Sequence, residues 1–443
     1  MSEEPAVNKI ITFLGTSDYQ PTTYHYKEQP SSSVRYFALA LDKFFPDYQI
    51  TVLATSKAQE EHGRALRDQL EQRKAGFCVK PVPELVSETE LWNTFAVIEK
   101  EVRGVNRLIF DITHSFRSLP FLAFLALAYL RVIYRFELEA VLYAPLDSYT
   151  RSQVYDLSRF VDLLDWTTAT HLFLRTGHAA LLVDQLQRDE WLQQAEANKL
   201  RRANPEELER TSAALRLARP DEARRSAANL SGALGELEPE LDLKPHVRPF
   251  GVLLKRVEAE FRQITPQPPD PDDLKQELQQ ELELIRWNRD RGQLMSAVMV
   301  AREWLVSLMC WHAGWTDLVL DKDREGQVQE VRKWRSGDRA EKKEQVLGSL
   351  NDLAELASLT SSEHKKRIGS VKKEAYALWQ RNPAYAELLG QTWKQVSRLR
   401  DDLAHAGKVH TTAPRPLEVV LREAQHVPEL LQGVSDQSGL ETS

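Results

Sequence analysis

The sequence predicts two architectures in series: an α/β fold with a mostly parallel sheet in residues 1–157, then an all-α domain in residues 158–443. Three observations carry this. Short apolar runs alternate with helix-period segments up to about residue 157, the pattern of a parallel sheet covered on both faces. From Leu157 onward the apolar spacing becomes helical and stays so. At 443 residues the chain exceeds what one ordinary core organises.

In chain order, residues 9–14 form a short apolar strand and 34–45 carry apolar residues at helical spacing. Residues 49–53 are a second strand, followed by a helix through Leu70. Residues 76–80 are a third strand and 91–102 a helix. Residues 107–111 read as a buried strand, 116–134 as a strongly apolar helix and 138–143 as the last strand. Beyond them, 163–174 is amphipathic, Gly177 breaks it, and 179–200 and 205–237 are further helical stretches. Prolines interrupt at 239–249 and 266–271, the second run opening a helix near Asp272. Residues 293–311 read as a buried helix and 321–343, almost wholly charged and polar, as a mobile excursion. Helices resume to Ala406, and the proline-interrupted tail after Thr411 reads as loosely ordered.

Composition narrows the class. Two isolated cysteines, Cys78 and Cys310, make neither a disulfide framework nor a zinc site. The acidic N-terminus lacks a signal-peptide pattern. The longest apolar run, 119–129, is short of the about 20 residues a bilayer needs, so a cytoplasmic protein without a membrane partner is expected. The glycine fingerprint for dinucleotides and the phosphate-loop pattern are both absent, which argues against a dehydrogenase or an ATPase. Net charge is −7, yet residues 361–410 hold ten Lys/Arg against five Asp/Glu. A local excess of +5 is either a solvated face or a footprint for a polyanion.

Two strand ends are rich in small hydroxyl residues: Gly15-Thr16-Ser17 and Thr113-His114-Ser115-Phe116-Arg117. In an open parallel sheet ligands bind beyond the carboxyl ends of strands, near helix N-termini. Backbone N–H groups, hydroxyls and Arg117 suit phosphates or a nucleotide edge, and His114 suits stacking on a base or assisting phosphodiester cleavage. The plainer reading is that Thr113 and Ser115 cap the next helix. Thr55-Ser56-Lys57 is a weaker candidate for a third wall.

The second constellation lies at Arg398-Leu399-Arg400-Asp401-Asp402-Leu403-Ala404-His405-Ala406-Gly407. RNA carries its own nucleophile, the 2′-OH. A metal-free enzyme needs a group to move the proton and a cation to steady the phosphorane. His405 suits the first role and an arginine the second. A five-residue helical step turns about 140°, so Arg400 and His405 do not share a face, whereas Arg398 is nearly in line with His405. Both arginines remain candidates on spacing alone. Asp402 can orient the imidazole or form a surface pair with Arg398, and a polar helix end is the plain alternative. Asp401 and Asp402, adjacent on a helix, suit a metal poorly, and no metal or other cofactor is expected. One Arg and one His make a sparse site, so a two-fold dimer with this helix near its axis is expected.

These segments resemble the CRISPR-associated ribonucleases of type III systems. That family joins an N-terminal Rossmann-like CARF domain, which senses cyclic oligoadenylate, to a helical HEPN domain. The likeness rests on residues 11–24, on 110–120 and on Leu399-Arg-Asp-Asp-Leu-Ala-His-Ala-Gly407. Residues 162–166 and 301–305 add to it; cover is weakest at 200–285 and 315–345, where insertions are expected. The resemblance implies an activator-gated, metal-independent endoribonuclease that cuts single-stranded RNA, leaves 2′,3′-cyclic phosphates and serves antiviral defence. It implies Arg400 and His405 as the catalytic pair, with Asp401, Asp402 and Arg398 in support. Gly15, Thr16, Ser17, Thr113, His114, Ser115 and Arg117 would line the activator pocket, with cyclic tetra-adenylate the first ring to expect. A homodimer or larger oligomer, no stable association with the type III effector complex, and slow cleavage of the activator complete these expectations. Asp401 stands where Asn is frequent, and Ser115 where Gly is often found. The rival of another class is a ligand-responsive protein that binds RNA or a partner without catalysis.

Overall fold

The computed structural model describes residues 7–73, 76–84, 87–114, 119–145, 150–188, 205–241, 248–264, 274–315, 338–359, 363, 366–404 and 415–440. The chain divides into two compact units, Met1–Asp165 and Trp166–Ser443.

The first unit is built on an eight-stranded sheet of order β3-β2-β8-β7-β6-β1-β4-β5. Its strands are β1 (Val7–Leu14), β2 (Thr22–Tyr26), β3 (Gln29–Val34), β4 (Gln49–Ala54), β5 (Phe77–Pro81), β6 (Val105–Asp111), β7 (Glu137–Tyr143) and β8 (Arg151–Asp156). The run from β7 through β6, β1 and β4 to β5 is parallel throughout. Side-chain alternation sorts these strands between two cores. Ile10, Leu14, Ile109, Ala140 and Leu142 join α1 (Phe37–Phe44), the short α2 (Ser56–Ala58) and α3 (Arg64–Gln72) on one face. Ile11, Phe13, Leu108, Phe110 and Val141 join α4 (Glu88–Val102) and α5 (Leu119–Ile133) on the other. Strands buried on both faces read as continuous apolar runs, which is why the parallel strands were legible. A capping box starts α4: the Glu90 N–H donates to the Ser87 hydroxyl and the Ser87 N–H to the Glu90 carboxylate.

Three strands escaped the sequence reading. β2 and β3 form an antiparallel hairpin, and β8 pairs parallel to β2 and antiparallel to β7. The reading of 34–45 as one helical stretch is corrected: Val34 ends β3 and the helix starts at Phe37. Polar composition hid the hairpin, and Pro30 is tolerated because β3 is the sheet edge.

The second unit is helical. Helix α6 (Ser158–Thr176) leads into it, followed by α7 (Ala180–Arg188), α8 (Pro205–Arg216), α9 (Pro220–Leu241), α10 (Arg248–Ile264), α11 (Leu274–Asp290) and α12 (Leu294–His312). Then come α13 (Asp338–Leu356), α14 (Lys373–Arg381), α15 (Pro383–Ala404), α16 (Leu417–Gln425) and α17 (Val427–Ser438). By composition α12 is long and apolar enough to span a bilayer, but Trp304, Leu305, Leu308 and Met309 lie in this unit's core. The indole of Trp304 donates to the Leu278 carbonyl at 2.7 Å, tying α12 to α11. Gly390 lets α15 pass against α13: a Cβ there would lie 2.4 Å from the Leu353 carbonyl oxygen.

One expectation fails here. The tail after Thr411 is not loose: α16 and α17 pack through Val427, Leu431 and Val434, all fully buried. Its prolines start helices, Pro416 preceding α16 and Pro428 in the first turn of α17, where a missing N–H costs nothing. Of the polar stretch 321–343, residues 338–343 belong to α13, and 321–337 lie outside the described residues. Likewise α9 runs through Pro239, and Pro249 falls in the first turn of α10.

Candidate functional site

In the first unit β1 is flanked by β4, which follows it in the chain, and by β6 on its other side. The strand order therefore reverses between β1 and β6, and the crevice beyond their carboxyl ends is the topological switch point. Gly15 and Thr16 leave β1 there, and Thr113 and His114 leave β6. The two turns touch: a Cβ on Gly15 would lie 3.1 Å from the His114 carbonyl oxygen and 3.0 Å from the Tyr19 hydroxyl.

Beneath the turns is a shell of buried polar groups. Asp111, fully buried, accepts from the Thr12 hydroxyl at 2.6 Å and the Thr113 N–H at 2.9 Å. Burial pushes its carboxyl up to about 6, against the hydrogen bonds from Thr113 and Thr12. The Thr113 hydroxyl accepts from the Ala144 N–H at 3.0 Å, which ties the end of β6 to the end of β7. The His114 ring packs on Tyr19 at 4.4 Å between centroids, and Tyr19 in turn meets Tyr36 and His62. Burial, and secondarily His62, lowers His114 to about 4, so its imidazole is neutral at physiological pH. Its Nε2 is buried with no hydrogen-bond partner among the described residues.

The remaining candidates divide. Thr16 is half-buried and Ser17 exposed at the crevice mouth; Ser115 and Arg117 lie outside the described residues. Thr55 is buried and accepts from the Ala58 N–H at 3.3 Å as a helix cap, whereas Ser56 and Lys57 are exposed. Sequence reasoning missed three residues of this shell. Tyr19 accepts from the Gly15 N–H at 2.8 Å. Arg35 donates to the Tyr19 carbonyl at 2.9 Å. His62 arrives on a π-helical turn, Gln59–Gly63, for which no sequence signal exists.

In the second unit Arg400, Asp401 and Asp402 occupy the last turn of α15. Leu399 points into the core, which fixes the helix's rotation. Arg400 Nη1 lies 2.9 Å from Asp401, while its buried Nε makes no hydrogen bond among the described residues. Arg398 is exposed. The expected Arg398–Asp402 pair is replaced: Asp402, 6% exposed, takes a hydrogen bond from Arg415 Nε at 2.7 Å. Arg415 Nη1 also donates to Glu423 at 2.7 Å. This clasp joins the end of α15 to the start of α16 and brackets residues 405–414. His405 lies outside the described residues.

A mixed α/β sheet with a switch-point crevice, joined to a helical unit ending in an arginine-rich clasp, defines the architecture. Against known proteins, residues 162–268 match the family model for the second domain of the CRISPR-associated protein MJ1674. CRISPR-associated protein MJ1674 of Methanocaldococcus jannaschii is 26% identical over 111 residues, 24% of this chain and 18% of that protein. The match thus spans less than a fifth of that relative's length. Among solved structures, Enterococcus italicus Csm6 bound to cyclic hexa-2′-fluoro-hexa-dAMP aligns at 10% identity with a TM-score of 0.41, over 99% of this chain and 95% of that one.

Proposed function

We propose that the chain is a type III CRISPR-associated endoribonuclease in which cyclic oligoadenylate, bound at the β1/β6 crevice, licenses metal-independent cutting of single-stranded RNA by Arg400 and His405. The observation that carries the reading is the match of residues 162–268 to the second domain of a CRISPR-associated protein. Two features of the structure support it. The Gly15 and Thr113–His114 turns, separate in sequence, meet at the switch point where a nucleotide ring would sit. Arg400 keeps a buried Nε donor with no hydrogen-bond partner among the described residues, at the end of the helix from which the chain passes to His405.

Chemically, His405 would take the 2′-OH proton, and the Arg400 guanidinium would meet the charge developing on the phosphorane. The products would carry 2′,3′-cyclic phosphate ends. A homodimer is part of the reading. Phe121, Leu125, Tyr129 and Val132 form an exposed stripe along α5, with Val132 84% exposed, a face suited to a second copy.

The test is cleavage of labelled single-stranded RNA in excess EDTA, with and without cyclic tetra-adenylate or hexa-adenylate. Wild type is compared with Arg400→Ala and His405→Ala. Activator-dependent cutting should survive EDTA and fall by about 10²–10⁴ in either variant. If wild type binds RNA but never cuts it with either ring, the binding-protein reading takes over.

A further inference from the structure

One face of α15 carries cations that pair with no carboxylate among the described residues. The exposed positions Glu387, Gln391, Lys394 and Arg398 follow at steps of four, three and four residues, so they form one stripe along the helix. At its start the stripe is neutral or acidic, with Gln391 donating to the Glu387 carboxylate at 3.1 Å. Toward the end that carries Arg400 it is basic. Lys394 and Arg398 are one turn apart, a rise of about 6 Å, and neither forms an ion pair among the described residues. Elsewhere in this unit buried or half-buried cations are held by acids: Arg224, Arg289, Arg291 and Arg415 each pair with one or more carboxylates.

The basic surface continues sideways onto α13. Lys394 Nζ donates to the Ser358 hydroxyl at 2.9 Å, in the turn that closes that helix. Glu355 belongs to the same turn, since its carbonyl accepts from the Ser358 N–H at 2.9 Å. The acids of this flank are already engaged: Arg367 holds Glu355 at 2.8 Å and Asp352 at 3.2 Å. Lys366 and Lys372, close to Arg367 in the chain, are exposed and form no ion pair among the described residues. Lys366, Arg367, Lys372, Lys394 and Arg398 thus outnumber the two carboxylates they flank, in a chain whose net charge is −7. Such a local excess against the overall sign attracts a polyanion.

We propose that this flank of α15 is a track for the backbone of single-stranded RNA, in which Lys394 and Arg398 contact phosphates and position the strand as it approaches the end of the helix. The choice of RNA as occupant rests on the RNA-cutting reading above; the charge pattern does not. The track is distinct from the proposed chemistry. Arg400, two residues past Arg398, lies about 200° round the helix from it and is half-buried. Lys394 and Arg398 therefore act as positioning residues.

The side chains also say what the track reads. Lys394, Arg398, Lys366 and Lys372 offer cationic donors, and the stripe presents no aromatic ring on which a base could stack. Contacts of this kind fix register and orientation on the backbone and carry no sequence information. Binding along the track is therefore expected to be strongly salt-dependent and indifferent to base identity.

The probe is a fluorescent 2′-O-methyl oligouridine, which the proposed chemistry cannot cut because it lacks the 2′-OH nucleophile. Its affinity for the full-length chain is read by anisotropy across a salt series, with cyclic tetra-adenylate or hexa-adenylate present and absent. For single strands log K falls against log salt by about 0.7 for each phosphate contact. Lys394→Gln and Arg398→Gln should each flatten that slope by about 0.7, and the double variant by about 1.4, with affinity down about tenfold at low salt. Lys394→Arg should restore the slope, and circular dichroism should be unchanged throughout. Arg67→Gln, which removes an exposed cation of the first unit, should alter neither quantity. No binding by wild type, an unchanged slope in the folded glutamine variants, or equal flattening by Arg67→Gln overturns the track. Displacement of the probe by oligoglutamate at equal charge overturns RNA as the occupant in favour of an acidic protein. A chain that cuts RNA while the variants keep the wild-type slope loses only the track. One that shows the expected slopes yet never cuts keeps the track and loses the nuclease reading.

Discussion

Asp111 in the first unit and Asp402 in the second are both almost wholly buried aspartates near a proposed site, and they are satisfied in opposite ways. Among the described residues Asp111 meets neutral donors, the Thr12 hydroxyl and the Thr113 N–H. Asp402 meets the guanidinium of Arg415. Dipoles leave a buried carboxylate poised to take up a proton, whereas a guanidinium keeps its own positive charge across the whole working pH range. The crevice shell is thus a set of groups whose charge burial opposes: Asp111 keeps its proton up to about 6, and His114 stays neutral down to about 4. The end of α15 is a set of fixed charges. A nucleotide-binding turn benefits from a stiff, weakly charged floor, and an RNA-cutting helix end from cations that never titrate.

The sharpest way to break this comparison is to remove the cation from one side of it. Arg415→Met removes the guanidinium that links Asp402, at 6% exposure, to Glu423. Breaking a buried pair by deleting one partner costs about 3–5 kcal/mol. We expect Arg415→Met to lose stability on that scale in urea unfolding followed by helical circular dichroism. The double variant Arg415→Met, Asp402→Asn should recover more than half. Equal losses in single and double variants would show that the clasp contributes packing rather than charge.

The second prediction sharpens the other side through pH. In the folded chain Asp111 holds its proton up to about 6, against 3.8 for an ordinary carboxyl. The folded state therefore binds more protons between those values, and this contribution to stability declines as pH rises through that window. His114 runs the other way. Its folded value near 4 lies below the usual 6.5, so its contribution is lost as pH falls from 6.5 to 4. The two slopes nearly cancel in the wild type. Asp111→Asn deletes one of them. The stability advantage of that variant at pH 7 should then shrink by roughly 3 kcal/mol on acidification to pH 4. Hydrogen exchange of the β1 and β6 amides at the two pH values reads this within the first unit. A pH-independent difference would mean that Asp111 is not desolvated.

How far the sequence announced these regions follows from where their information lies. Strands β1, β4, β6 and β7 were legible because sandwiched strands must be apolar on both faces, as Ile10 and Ile11 are. The β2–β3 hairpin was not: Thr22–Tyr26 and Gln29–Val34 lie on the polar rim of the sheet, and their pairing is a long-range fact. The Gly15 and Thr113 turns were found by local composition. Their meeting, and the Tyr19, His62 and Arg35 shell that supports them, depends on strand order. On α15 the Arg400 motif was visible as a string. Arg415, a partner of Asp402, sits 13 residues on, past a segment that no helical spacing rule spans.

The smallest expected effect is the most specific to the crevice. Gly15 is buried, and its lack of a side chain is what lets the β1 turn rest against the β6 turn. In Gly15→Ala the new methyl would sit 3.0 Å from the Tyr19 hydroxyl and 3.1 Å from the His114 carbonyl oxygen, closer than ordinary contacts. The Tyr19 ring can yield by a few tenths of an ångström, but the backbone carbonyl moves only with its turn, and that turn leads into the segment carrying Ser115 and Arg117. Overpacking of this kind costs about 1–3 kcal/mol, which the sheet can absorb without unfolding. The loss should therefore appear in the ligand response rather than in the melt. We expect the half-activating concentration of cyclic oligoadenylate to rise about tenfold, equivalent to about 1.4 kcal/mol of lost binding, with the maximal cutting rate unchanged. A lowered maximal rate at unchanged half-activation would place the crevice in coupling rather than in binding. If neither quantity moves, the activator is held elsewhere on the sheet.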